Sequence, residues 1–196
     1  METELVPSRE NVYTLPNLLT LIRIGSVPLL VVLLYLPGPT WSRAAAVVFF
    51  ISGLTDLFDG ILARRLRKVT LLGQFLDPVA DKLLVGSMLV MLAALGRAPA
   101  WMAVLILGRE IAVTGMRAVA ASQGFQVPSD TMGKWKTAVQ MLAVWLLMAY
   151  YPVGGVDVAF WGLLSLWAAV IITAWSGVGY FLRFRKRLGA NYPQKP

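Results

Sequence analysis

Residues 56–81 read DLFDGILARRLRKVTLLGQFLDPVAD, and the fold follows from this stretch. It joins the end of one apolar run to the start of another through Arg64, Arg65, Arg67 and Lys68. Asp56 and Asp59 lie on one side of that connection, three residues apart, and Asp77 and Asp81 on the other, four apart. Each pair therefore shares one face of a helix. An aspartate inside a membrane span costs about 2.5 to 3.5 kcal/mol on insertion scales, so four of the chain's ten acids gathered here require cationic partners. Two helices with a short connection can bring the four carboxylates together. Hard oxygen ligands suit Mg²⁺ or Mn²⁺, and a two-ion site is an established arrangement for phosphoryl-type displacement.

The chain around this stretch asks for a membrane. It has 196 residues, 58% of them hydrophobic and only 14% charged, with a mean hydropathy of +0.68. A spanning helix needs roughly 20 apolar residues, which leaves room for six spans and no second soluble domain. The expected spans are Leu15 to Leu36, Trp41 to Leu66, Leu71 to Leu95, Ala98 to Ala121, Gly133 to Tyr151 and Val156 to Phe184, with breaks at Pro37-Gly38-Pro39, Gly96 to Pro99 and Pro152 to Gly155. The fold class is all-α and integral to the membrane. It comprises one domain over 1–196: a short interfacial segment at 1–14, a six-helix bundle at 15–184 and a tail at 185–196. The polar start, with Glu2, Glu4 and Glu10, lacks the basic region of a cleaved signal peptide.

Arg9, the 64–68 cluster, Lys134, Lys136 and the Arg183 to Arg187 cluster fall on one side of these spans, against Arg43 and Arg97 on the other. The positive-inside rule then places both termini in the cytoplasm. Cysteine and histidine are both absent, so any metal is held by oxygen. The net charge of +8 belongs to this membrane asymmetry, and no nucleic-acid partner is expected.

Asp56, Asp59-Gly60, Ala63-Arg64, Gly73, Asp77 and Asp81 together reproduce the pattern D-x2-D-G-x2-A-R-x8-G-x3-D-x3-D. In this the chain resembles the CDP-alcohol phosphotransferases. The resemblance implies a six-span fold in which Asp56, Asp59, Asp77 and Asp81 bind two metal ions, Asp81 acts as the base, and CDP lies along the motif. Leu15 to Thr20 with Arg23, Gly108 to Arg117, and Met132 to Thr137 with Gln140 look like the phosphatidylglycerophosphate synthase branch of that family. That branch implies CDP-diacylglycerol as donor and sn-glycerol 3-phosphate as acceptor. It also implies membrane lipids as surroundings, a homodimer, and a multi-pass place in a bacterial inner membrane.

Individual residues carry alternative readings. Gly60, Ala63 and Gly73 leave the helix surface bare beside the carboxylates, for a nucleotide or for helix packing through small residues. Arg64 can bind a phosphate bidentately, and Thr70 follows the same motif. Asn17 and Thr20 suit a nucleotide, with a helix cap as the plainer role. Arg117, Lys134 and Lys136 gather at one end of spans four and five, where they could receive an anionic acceptor or touch lipid headgroups. Arg109 is a further acceptor candidate, and Glu110 is read either as functional or as a holder of arginines. Two competing functions remain: the same chemistry on another acceptor such as inositol phosphate, and transport of divalent cations through the aspartates.

Overall fold

The computed structural model of the protein describes residues 15–66, 71–125 and 132–191, with side chains over 17–55, 73, 76–125 and 135–189. The expected interfacial segment at 1–14 lies outside these residues. Six helices follow one another: α1 (Leu15–Tyr35), α2 (Pro39–Leu66), α3 (Leu71–Ala94), α4 (Ala100–Ser122), α5 (Met132–Ala149) and α6 (Val158–Asn191). Every expected apolar run is a helix, with ends displaced by a few residues. The largest displacement is at the end of α6, which runs on past Phe184 to Asn191 and so takes in much of the expected tail.

The turns have local causes. Val153 and Val156 exchange backbone hydrogen bonds of 3.1 and 3.0 Å around Gly154 and Gly155, both with positive φ (58° and 82°). Two positive φ values in succession make this a type I′ hairpin, which glycine enters without a Cβ penalty. Asp157 then starts α6, its Oδ1 accepting from the Phe160 N–H at 3.1 Å.

The helices close into a ring. α1 packs on α2, α2 on α5, α5 on α6, α6 on α4, α4 on α3, and α3 back on α1, with α3 also touching α5 across the middle. The dry core fills the half of the ring away from the motif, with Leu30, Phe49, Met88, Leu92, Ile106 and Leu147 among its members. The outer wall is also apolar: Val32, Phe50, Val104, Ile171 and Trp175 are all exposed. Two helices among the described residues are long and apolar enough to cross a membrane, Asn17–Tyr35 and Val158–Gly189. Only 22% and 28% of their spanning windows are buried inside the bundle, so they are not the enclosed core helices of a water-soluble protein.

Arg97 ties the end opposite the motif. Its guanidinium donates to Met148 O at 3.0 Å and Ser42 Oγ at 2.8 Å and lies 4.6 Å from the Tyr150 ring centroid. Burial lowers its pKa, but an arginine stays charged at physiological pH. Arg97→Ala should cost about 1 to 3 kcal/mol, since it removes both charge-assisted hydrogen bonds and the cation–π contact. Thermal unfolding in detergent would show a lowered midpoint with unchanged activity per folded molecule.

Candidate active site

The alternation of six helices brings six chain segments to the same end of the ring: the start of α1, the end of α2, the start of α3, the end of α4, the start of α5 and the end of α6. Asp77 and Asp81 stand one turn apart on α3, both exposed. α1 holds them from behind. Thr20 Oγ1 donates to Asp77 Oδ1 at 2.6 Å, and Arg23 Nη1 pairs with Asp81 Oδ1 at 3.0 Å. The spacing is matched: Thr20 and Arg23 are three apart on α1, and the carboxylates they meet are four apart on α3. Arg23 is 1% exposed and Asp81 51%, so a buried cation anchors a carboxylate that faces outward. Asn17 and Thr20 are themselves buried.

Asp56, Asp59, Gly60, Ala63 and Arg64 lie on α2 by backbone. Their side chains are outside the described residues, as are that of Lys134 and the whole of Thr70. Asp77 and Asp81 fit a hard divalent cation: they are oxygen donors one turn apart, accessible, and oriented by Thr20 and Arg23.

A second, basic cluster lies beside them on α4, α5 and α6. Glu110 is its pivot. Lys136 Nζ pairs with Glu110 Oε1, and Arg109 Nη1 reaches the same oxygen at 3.5 Å. The holder role expected for Glu110 is thus seen with one lysine and one arginine. Arg109 is fixed further by α6, with Nη2 donating to Ser176 Oγ at 3.1 Å. A Cβ on Gly177 would stand 3.0 Å from Arg109 Cγ, so the glycine admits the arginine stem. Arg117 stacks on α6 as well, its guanidinium carbon 5.5 Å from the Tyr180 ring centroid.

Lys82 connects the two clusters. It follows Asp81 on α3, and its Nζ donates to Thr114 Oγ1 on α4 at 2.7 Å. Arg117 and Asp81 both lie within its Coulombic reach, and Lys82 in turn acts on Lys136. Of the acceptor candidates, Arg109, Arg117 and Lys136 therefore share one electrostatic field next to Asp81.

Residues 13–175 match the CDP-alcohol phosphatidyltransferase family. The chain belongs to that family. It is 41% identical over 183 residues to the CDP-diacylglycerol–glycerol-3-phosphate 3-phosphatidyltransferase of Bacillus subtilis (strain 168), covering 86% of this chain and 94% of that protein. It is 36% identical over 175 residues to the enzyme of the same name from Rickettsia bellii (strain RML369-C), covering 88% and 96%. A probable phosphatidylglycerophosphate synthase of Mycobacterium tuberculosis (strain CDC 1551 / Oshkosh) is 38% identical over 192 residues, covering 96% and 90%.

The family match stops one residue short of Ser176, so the α6 groups that hold Arg109 and Arg117 lie beyond it. Sequence reasoning missed Ser176, Gly177 and Tyr180 because an apolar span with small and aromatic residues reads as lipid-facing or packed. It also missed Lys82, for which there was a signal: a lysine directly after a site aspartate within a span, where ionisable residues mark function. Arg23 was noted for its resemblance without a role.

Proposed function

We propose that this chain transfers the phosphatidyl group of CDP-diacylglycerol to sn-glycerol 3-phosphate, giving phosphatidylglycerophosphate and CMP. The observation that carries the reading is the bridge from α3 to α4: Lys82, next after Asp81, donates to Thr114 on the helix that carries Arg109, Glu110 and Arg117. The relatives named for this reaction, matched over most of their length, support the choice of donor and acceptor. The acceptor hydroxyl attacks the phosphatidyl phosphorus, the bond to the CMP oxygen breaks, and the hydroxyl proton passes to Asp81. Asp56, Asp59, Asp77 and Asp81 would hold two Mg²⁺ or Mn²⁺ ions, which neutralise the pyrophosphate and the CMP leaving group when bound. Thr20 and Arg23 orient Asp77 and Asp81. Asn17, Gly60, Ala63, Arg64 and Thr70 flank the nucleotide.

The six helices act as membrane spans with both termini cytoplasmic, as the distribution of basic residues argues. The site then opens at the inner-leaflet surface of a bacterial inner membrane, where a lipid donor and a soluble acceptor can meet. A homodimer belongs to the same reading.

Acceptor and donor groups should fail differently. Arg117→Ala removes a charge-assisted hydrogen bond to phosphate, worth roughly 1.5 to 3 kcal/mol, and should raise KM for glycerol phosphate about ten- to a hundredfold. Lys134→Ala should act in the same direction. Arg64→Ala should instead weaken use of the CDP-lipid. Steady-state kinetics with each substrate varied in turn would test this, and unchanged glycerol phosphate kinetics in Arg117→Ala and Lys134→Ala would displace the acceptor pocket.

A further inference from the structure

The outer side of α6 ends on two cations. Ile171, Trp175, Val178, Phe181 and Leu182 are exposed along it. Arg185 and Lys186 follow one turn after Phe181 and Leu182, so they share that side. Both are exposed, and neither forms an ion pair among the described residues. The opposite side carries Thr173, Ser176 and Tyr180, all buried, with Ser176 holding Arg109 and Tyr180 stacked under Arg117. Charges are costly in hydrocarbon, so with Arg183, Arg185, Lys186 and Arg187 falling within five residues, α6 leaves it by Leu182. The helix still continues to Asn191, about 13 Å further at 1.5 Å per residue. Phe184 packs on Phe125 just past the end of α4, with ring centroids 6.2 Å apart, and so ties this extension to the bundle.

We infer that Arg185 and Lys186 dock α6 on anionic headgroups of the inner leaflet, and that this docking sets the acceptor affinity of the site on the helix's other side. The inference rests on the proposed transfer reaction and membrane placement and adds a regulation to them. Charge and position argue for a lipid as the occupant. The two cations lie where the apolar wall ends, which is the level of the headgroups. A basic side chain there gains from each anionic lipid and little from a zwitterionic one. Phe181 and Leu182, one turn deeper, favour the acyl boundary over water. Lipid bound on this side fixes the depth and rotation of α6. Tyr180 lies five residues before Arg185 on the same continuous helix, and Ser176 nine before it, so both turn with it. Arg109 and Arg117 are carried with them. Anionic lipid then holds both arginines in the orientation that receives the acceptor's phosphate.

The test uses the full-length protein in nanodiscs of phosphatidylcholine, alone or mixed with phosphatidylglycerol, with CDP-diacylglycerol as donor. The wild-type KM for glycerol phosphate should fall about fivefold when phosphatidylglycerol is present. Surface repulsion alone would raise the KM of an anionic acceptor, so the sign separates docking from bulk electrostatics. Arg185→Gln with Lys186→Gln should keep the wild-type kcat in phosphatidylcholine and show no fall in KM. Position is read independently of activity. Gly189 has no atom within 4 Å of an added Cβ, so Gly189→Cys can carry an environment-sensitive fluorophore as the single label in a chain without cysteine. Its emission should move to shorter wavelength with phosphatidylglycerol, and the double variant should abolish the shift. A fall in KM or an emission shift that survives in the double variant, or is missing from wild type, overturns the inference. So does an equal fall in KM produced in phosphatidylcholine by added inorganic phosphate, which would mark a site for free anions. If the emission shift is present but wild-type protein releases no CMP in either membrane, docking holds and the proposed function fails instead.

Discussion

Asp77→Asn and Asp81→Asn should each reduce turnover by about a thousandfold or more, because each removes a charge from the reacting centre without changing side-chain shape. The fold should survive both changes. An asparagine at 77 can still accept from Thr20, and Asp81 is half exposed, so the bundle loses no packing at either position. Asp56→Asn and Asp59→Asn should behave alike if the four aspartates act together. Chelation with EDTA should abolish activity in wild-type protein, and Mg²⁺ or Mn²⁺ should restore it. Turnover that persists in EDTA, or in either α3 variant, would remove the metal site from the account.

Arg23→Met should lower kcat about ten- to a hundredfold while leaving KM for glycerol phosphate unchanged. The methionine fills most of the buried volume but cannot hold Asp81, and a carboxylate displaced by an ångström is costly to a reaction that depends on orientation. Arg23→Lys should recover part of the loss, since the charge returns without the fork geometry. The decisive comparison is with Asp81→Asn. If Arg23 works by holding Asp81, adding Arg23→Met to Asp81→Asn should cost almost nothing further, whereas independent effects would add. Full additivity would reduce Arg23 to a packing residue.

The architecture was legible because long apolar helices announce themselves by length and polarity. Six apolar runs and three turn clusters yielded six helices, and the one large miss, the continuation of α6 to Asn191, arose where charge ended the apolar run without ending the helix. Arg183, Arg185, Lys186 and Arg187 are good helix formers, and nothing before Gly189 stops them. The site was half legible. Spacing along a helix fixes which residues share a face, so Asp77 with Asp81 could be read directly. Partners across helices depend on how each helix is rotated about its axis, which a single sequence does not record. For that reason Glu110 could be read as a holder of arginines, but its partner Lys136, which comes from α5, could not be named. The bond from Thr20 to Asp77 likewise depends on how α1 is turned toward α3. Lys82 could not be tied to Thr114 without the packing of α3 on α4.

The transfer reaction is tested by CMP release by the purified protein from CDP-diacylglycerol with Mg²⁺, alone and with each acceptor. CMP release should depend on sn-glycerol 3-phosphate and be matched mole for mole by phosphatidylglycerophosphate. CMP release with inositol phosphate but not with glycerol phosphate, or none with any acceptor, would contradict the account.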